Sequence, residues 1–365
     1  MMNLEQWGWD EALSALAAAA GKAGPTAAEQ VSAAGSAYGR VIGQDRDRWI
    51  VMLEAGQVVA RIPTGSFPSA SPVVGDWVAT RPGPMPADPA SIVGVLPRRS
   101  AISRGMAGSG ATEQVLAANI DVVWIVQGLD APLNARRIER YLAVAWESGA
   151  IPEIVLSKAD LARDPAAMVA ELATVAMGVN VHVVSAIQAA AVRDLQDTLK
   201  PGRTVVLIGP SGVGKSTLLN ALAEMPLAAT GAVREGDRRG RHTTTRRELF
   251  RIGGGALLID TPGLRELRVW DLSEGLEHAF PEIEELSAAC RFRDCRHAVE
   301  PGCAVVAAVE AGALDAARLA SYRKLAAEAD YALRRVDPEA RAAAVAKHKT
   351  ALKTLKYHPK YERRD

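Results

Sequence analysis

Nine consecutive residues, Gly209-Pro210-Ser211-Gly212-Val213-Gly214-Lys215-Ser216-Thr217, have the types and spacing to hold a polyphosphate. They read G-x-x-x-x-G-K-S, the P-loop pattern. Glycines let backbone N–H groups converge on phosphate oxygens, and a helix starting at the loop's end adds the positive end of its dipole. Lys215 is placed to reach the β- and γ-phosphates, and the Ser216 hydroxyl to sit on Mg²⁺. The apolar run Thr204-Val205-Val206-Leu207-Ile208 before the loop and Thr217-Leu218-Leu219-Asn220-Ala221-Leu222 at its end supply the strand and helix the motif requires. Alone, the motif specifies a nucleoside triphosphate, but neither the base nor the reaction.

A second motif, Asp260-Thr261-Pro262-Gly263, closes an apolar run at 256–259. In P-loop GTPases such a D-x-x-G senses the γ-phosphate: Asp260 would hold Mg²⁺ through water, and the Gly263 N–H would meet the phosphate. Between the two motifs lies Gly240-Arg241-His242-Thr243-Thr244-Thr245. One threonine here is expected to coordinate Mg²⁺ and hold the loop closed. Three adjacent threonines leave the choice open, with Thr244 carried as the site residue. Residues 231–247 are rich in Gly and Arg with few apolar anchors, as suits a switch. Leu264 stands where Ras-like enzymes carry a water-orienting glutamine, so a polar group must come from elsewhere. His242 is the leading candidate; the alternative is that it packs or touches RNA.

Base selection needs a carboxylate for guanine N1–H and the exocyclic amine. Ser157-Lys158-Ala159-Asp160, after the apolar run 151–156, has the GTPase form [N/T/S]-K-x-D. Asp160 would read guanine and the aliphatic stem of Lys158 would cover it. Ser157 replaces the commoner Asn, so the side-chain amide that braces this loop is missing. Ser185-Ala186 fits the last element, whose backbone N–H meets guanine O6. Both base-reading elements precede Gly209, whereas ordinary GTPases place them after the P-loop. The domain is therefore circularly permuted, which is tolerable because the termini of such domains lie on the surface and often close together.

All three cysteines of the chain fall in one window, Cys290-x₄-Cys295-x-His297-x₅-Cys303. A Cys₃His set is a closed tetrahedral zinc site, and an odd, clustered number argues against a disulfide framework and for a cytoplasmic protein. Net charge is +1, so any nucleic-acid partner must be met by local patches rather than by bulk charge. No run of 18 or more apolar residues occurs, which predicts no membrane span.

The elements that must position these residues follow from periodicity. Residues 1–36 read as an arm with one short helix and a linker. Short β-rich pieces at 38–42, 48–53, 57–61, 76–80 and 91–96, punctuated by Gly, Pro and Asp, predict a small OB-like barrel within 37–110. Continuous apolar strands at 120–126, 151–156, 179–184 and 204–208, with a helix at 136–148, predict a parallel α/β domain over 111–272. A helical domain over 273–340 carries the cysteines, with a helix at 314–335, and 341–365 is a basic tail. The fold class is thus multidomain α/β.

Taken together, these residues resemble the ribosome small subunit-dependent GTPase A family (RsgA/YjeQ/EngC). The resemblance rests on Val74-Gly75-Asp76-Trp77-Val78, Leu96-Pro97-Arg98-Arg99-Ser100, Ala118-Asn119-Ile120-Asp121, Ser157 to Asp160, the P-loop, Gly240 to Thr245, Asp260 to Gly263 and the cysteine set. It spans about 38–331. It implies an N-terminal OB-like β-barrel, a circularly permuted P-loop GTPase domain and a C-terminal zinc-binding helical domain. GTP or GDP, Mg²⁺ and one structural Zn²⁺ are the implied cofactors. The implied role is GTP hydrolysis in late maturation of the small ribosomal subunit, through contact with that subunit and its rRNA. The protein is expected to act as a monomer in the cytoplasm. Competing readings are a metabolic P-loop kinase or ATPase, which would give Asp160 and the zinc set no purpose, and an RNA-binding scaffold with a structural nucleotide site, against which Lys215, Ser216 and Asp260 speak.

Overall fold

The computed structural model describes residues 3–20, 36–63, 70–85, 88–105, 113–173, 175–223, 247–260 and 273–336. His242, Thr243, Thr244, Thr245, Gly263, Leu264 and the tail 341–365 lie outside the described residues. No helix among the described residues is long and apolar enough to cross a membrane.

A 3₁₀ turn (Leu4–Trp7) leads to α1 (Glu11–Ala20). Five short strands follow: β1 (Ala37–Asp45), β2 (Arg48–Leu53), β3 (Gly56–Arg61), β4 (Trp77–Arg81) and β5 (Ala90–Val95). They pair in the order β1-β2-β3-β5-β4, and β4 returns to β1, closing the expected barrel. Every pairing is antiparallel except β3 with β5. One end of the barrel is covered by the arm. Leu4, Leu13 and Ala17 are buried against Trp77 and Leu96, and the Trp9 ring meets Trp77 edge-on at 4.9 Å.

After a two-stranded ribbon, β6 (Ala101–Gly105) with β7 (Glu113–Ala118), the alternating part begins. Its elements are β8 (Val122–Gly128), α2 (Ala135–Glu147), β9 (Ile151–Ser157), α3 (Pro165–Leu172), β10 (Asn180–Val183), α4 (Ala189–Asp197), β11 (Thr204–Ile208), α5 (Lys215–Leu222), β12 (Arg247–Arg251) and β13 (Leu257–Asp260). The sheet order is β10-β9-β8-β11-β13-β12, parallel except for β12 against β13. β8 and β11 are buried along their whole length, which explains their unbroken apolar sequences. The chain winds outward from β8 to β10, returns to β11, then winds the other way. The crevice at that reversal, outside the carboxyl ends of β8 and β11, is where such sheets bind ligands.

Barrel and nucleotide sheet belong to one compact unit, Met1–Ser103 with Val115–Leu267. β1 pairs with β12 (Gly43↔Glu248, Gln44↔Arg247), so one sheet runs from the barrel into the nucleotide half. Arg40, 2% exposed, ties the joint. Its guanidinium donates to the carbonyls of Gly75, Trp7 and Asn119 and to Thr204 Oγ1, and stacks over Trp77. Gly75 (φ 94°) must be glycine: a Cβ would lie 2.0 Å from the Ala118 carbonyl oxygen. Asp76 pairs with Arg98 at 2.7 Å, and Asn119 Oδ1 accepts from the Arg99 N–H. The three stretches around Gly75, Arg98 and Asn119, which carry no chemistry of their own, therefore build this joint.

The second unit, Arg104–Gln114 with Arg268–Asp365, contains α6 (Ser273–Ala279), α7 (Pro281–Ser287), α8 (Ala304–Glu310) and α9 (Ala316–Val336). Arg318 on α9 ties α6 and α7 together. It pairs with Glu282, donates to the Ala279 carbonyl and lies over the Phe280 ring at 4.4 Å.

Candidate nucleotide site and metal centre

The carboxyl ends of β8, β9, β10, β11 and β13 each deliver candidate residues to one edge of the sheet. The loop 209–214 leaves β11 with Gly209, Gly212 and Gly214 at φ 144°, 83° and 93°. At Gly209 a Cβ would lie 2.3 Å from the Val126 carbonyl oxygen, so only glycine lets the loop pack on β8. Gly214 begins α5, and Lys215 and Ser216 occupy its first turn, half-buried, with Thr217 exposed. The Lys215 ammonium lies across the loop, donating to the carbonyls of Gly209 (2.7 Å) and Pro210 (2.5 Å). Ser211 and Gly212 are exposed at the rim, with Val213 half-buried. Asp260 ends β13, one residue past Ile259, which is in register with Val206 of β11.

The base-reading elements assemble beside this loop. Ser157, 1% exposed, donates through Oγ to the Val213 carbonyl at 2.5 Å, with the Gln127 carbonyl also in reach at 3.1 Å. The brace expected to be missing is therefore present, made by a hydroxyl that reaches the phosphate loop directly. Lys158 is held at φ 58°, a left-handed conformation rare for a side-chain-bearing residue. Its stem passes over Gly128 and Gly214, where Cβ atoms would lie 3.6 and 3.9 Å from it. Its ammonium pairs with Asp130 at 2.6 Å, and this bond holds the Asp130 carboxyl below its ordinary value. Asp130 escaped the sequence reading, although its place just after a strand end was a usable signal.

Asp160 is exposed, and its Oδ1 accepts from the buried Ser185 hydroxyl at 2.6 Å. The sequence pointed to the Ser185 backbone; the side chain has this additional contact. The Ala159 N–H donates to the Val184 carbonyl, so the two base-side loops are stitched by main chain and side chain alike. Ala186 is half-buried next to them.

In the second unit the four ligand atoms of Cys290, Cys295, His297 and Cys303 lie within 4.8 Å of one another. Cys290 Sγ is 3.8 Å from Cys303 Sγ, and His297 Nδ1 is 3.6 and 3.5 Å from these two sulfurs. A tetrahedral ion with Zn–S about 2.3 Å and Zn–N about 2.05 Å requires edges of about 3.8 Å and about 3.55 Å. The donor set fits zinc in type, number and spacing. Burial pulls His297 down, favouring the neutral, ligating imidazole. Burial pushes the Cys290 thiol up, but the N–H groups of Val305 and Ala304 outweigh it and leave it below the ordinary thiol value. Cys295 is pushed up to about 11 by desolvation, with Cys303 and Cys290 adding to the rise. Glu300, also not foreseen, accepts from the N–H groups of Arg296, Ala298 and Val299 and so pins the knuckle; those bonds hold its carboxyl down to about 2.

Residues 95–270 match the family model described as RsgA GTPase. The chain is 44% identical over 351 residues to the small ribosomal subunit biogenesis GTPase RsgA of Opitutus terrae, covering 92% of this chain and 92% of that relative. Its backbone is similar to that of YjeQ from Thermotoga maritima, with TM-score 0.60, 26% identity, and coverage of 80% of this chain and 98% of that one. It is likewise similar to YloQ, described as a circularly permuted GTPase, with TM-score 0.59, 26% identity, and coverage of 81% and 96%.

Proposed function

Because this chain belongs to the RsgA GTPase family, and is therefore a GTP-hydrolysing enzyme on a circularly permuted fold, we propose that it binds the small ribosomal subunit and turns GTP over in step with that subunit's late maturation. The observation that carries the nucleotide half of this reading is the bond from Ser157 to Val213. It joins the base-reading loop to the phosphate loop, so both ends of one guanine nucleotide are addressed by a single braced structure.

In this reading Asp160 accepts from guanine N1–H and the exocyclic amine. Ser185 steadies the carboxylate through Oδ1, which keeps a second lone pair for the base. The stem of Lys158 covers the ring, and the backbone at Ser185 and Ala186 meets O6. The N–H groups of residues 209–217 cradle the phosphates, and Lys215 exchanges its loop carbonyls for phosphate oxygens. Mg²⁺, when bound, would be held by Ser216, Asp260 and one of Thr243, Thr244 and Thr245, and would neutralise charge on the phosphates. Water attacks the γ-phosphorus in line with the breaking bond to the β-phosphate oxygen. Leu264 cannot orient that water, so His242 is assigned the task, in a loop ordered by the subunit.

One structural Zn²⁺ would be held by Cys290, Cys295, His297 and Cys303. The barrel, the zinc unit and the tail 341–365 form the contact surfaces for rRNA, with the protein acting as a cytoplasmic monomer. The test is nucleoside triphosphate turnover, GTP against ATP, with and without purified small subunits. Stimulation of GTP hydrolysis alone is the expected result. Equal turnover of ATP, or GTP turnover indifferent to the subunit, refutes the reading.

A further inference from the structure

The ammonium of Lys158 has a partner that the base-reading motif does not contain. Its Nζ lies 2.6 Å from Oδ2 of Asp130, which stands in the loop after β8, 28 residues earlier in the chain. The local backbone is arranged around this pair. Lys158 is left-handed (φ 58°, ψ 37°), which takes its side chain out of the alternation of β9. A Cβ at Gly128 would lie 2.4 Å from Asp130 Oδ1, so only glycine there leaves the carboxylate its place. Without side chains at Gly128 and Gly214, the lysine stem has a lane between the loop after β8 and the phosphate loop.

A structural brace is a poor account of the pair. The loops after β8 and β9 are already joined without it: Gly128 is in register with Ser157, and the Leu129 N–H donates to the Ser157 carbonyl at 2.9 Å. Both side chains are partly in water, 27% exposed for Lys158 and 39% for Asp130, and ion pairs so placed add little to stability. What the pair does fix is one long side chain. Lysine is among the residues with most rotamer freedom to lose, and a stem that had to be ordered by the base would weaken binding. An ammonium left unpaired would also have Asp160 two residues along the chain. A cation there would compete with guanine N1–H for the carboxylate that Ser185 engages through Oδ1 alone.

We infer that Asp130 is a positioning residue for guanine: it holds the Lys158 ammonium on the β8 side, so that the stem is laid out before the base arrives and the Asp160 carboxylate stays open to it. Asp130 acts through Lys158 and makes no contact of its own with the nucleotide. The inference rests on the base-side assignment proposed above and adds to it a residue from a different strand end.

The test uses the full chain, a fluorescent guanosine diphosphate, and inorganic tripolyphosphate as a competitor that fills the phosphate loop but carries no base. Asp130→Ala should weaken binding of the guanine nucleotide about three- to fivefold, the size of an ion pair partly in water. Tripolyphosphate should bind it as tightly as the wild type, and the midpoint of thermal unfolding should not move. Lys158→Met keeps an unbranched stem and removes the charge. In that background Asp130→Ala should have no further effect, the non-additivity expected of two groups that act through one contact.

Wild-type affinity for the guanine nucleotide in Asp130→Ala overturns the proposal. So does an equal loss of tripolyphosphate affinity, or the same three- to fivefold loss when Lys158 is already methionine. Asp160→Asn separates the two levels of the argument: if that variant keeps its preference for guanine, the base-side assignment itself is refuted. If it loses the preference while Asp130→Ala binds like the wild type, only the role of Asp130 falls.

Discussion

Replacing Ser157 with alanine isolates one bond that joins two loops. The Ser157 hydroxyl is buried and donates to the Val213 carbonyl at 2.5 Å, the shorter of its two contacts. Alanine removes the donor and leaves the β-carbon, so packing hardly changes. A buried carbonyl left without its donor loses about 1–3 kcal/mol. Val213 is half-buried, so water recovers part of that, and the lower end of the range applies, about 1–1.5 kcal/mol. The nucleotide must then order the loop itself, and that amount is deducted from binding. At 1.4 kcal/mol per factor of ten, affinity should fall about five- to twelvefold. GTP and GDP should suffer alike, because the γ-phosphate plays no part in the bond. The preference for guanine over adenine should persist, because Asp160 keeps its contact with Ser185. Ser157→Cys, of similar size but a weaker donor, should fall between. Titration with a fluorescent guanine nucleotide measures all three. Wild-type affinity in Ser157→Ala, or a loss confined to GTP, would refute the brace.

Asp160→Asn should cost about 2–5 kcal/mol in GTP affinity and favour xanthosine triphosphate, whose edge complements an amide; a mutant that still prefers GTP shows that the contact is misassigned. Cys295→Ala should abolish zinc in metal analysis and unfold the second unit while guanine nucleotide binding survives, since binding energy at such a site is folding energy; a folded, zinc-loaded variant would contradict it. Zinc affinity should rise with pH: without metal the Cys295 thiol, pushed up to about 11, is protonated at neutrality and must lose that proton to ligate, whereas His297, pulled down by burial, is already neutral. An indicator dye should therefore record proton release on zinc addition near pH 7, and affinity that does not vary with pH would exclude this. His242→Ala should keep GTP affinity and subunit binding yet lose most subunit-stimulated turnover; stimulation like that of the wild type places the catalytic group elsewhere.

Much of the candidate site was legible because its signals are local. The phosphate loop, Lys158 and Asp160, and the cysteine window each declare themselves within about fifteen residues, and hydrophobic runs place the first two at strand ends. The barrel strands were legible from their punctuation, though not the parallel β3–β5 pairing, which depends on a contact the sequence does not encode locally. Arg40 could not have been found. Its partners at Trp7, Gly75, Asn119 and Thr204 are scattered across the chain, and arginine in an exposed-looking strand normally signals solvent. The arm reads as a short helix and a linker because nothing local in it tells what Leu13 and Ala17 pack against, which is the barrel end at Trp77. Ser157 was misjudged because comparison with Asn considered the lost amide and not the hydroxyl's own reach.

The pairing of β1 with β12 has a consequence for how the chain is made. Synthesis proceeds from the N-terminus at about 5–20 residues per second. Gly43 leaves the tunnel 205 residues ahead of its partner Glu248, an interval of about 10–40 s at those rates. Thr204, the acceptor for Arg40, follows it by 164 residues. Throughout that interval the nascent barrel has an unpaired edge at Gly43 and Gln44, and a guanidinium destined for burial still lacks its full set of acceptors. Permutation sharpens the delay, since β11, the strand between β8 and β13, arrives only after both base-reading elements. The first unit is thus completed only once β12 and β13 have been made. A chain cut short before β12 has a barrel closed by β4 on β1, but its β1 edge at Gly43 and Gln44 stays open to pairing with any neighbouring chain.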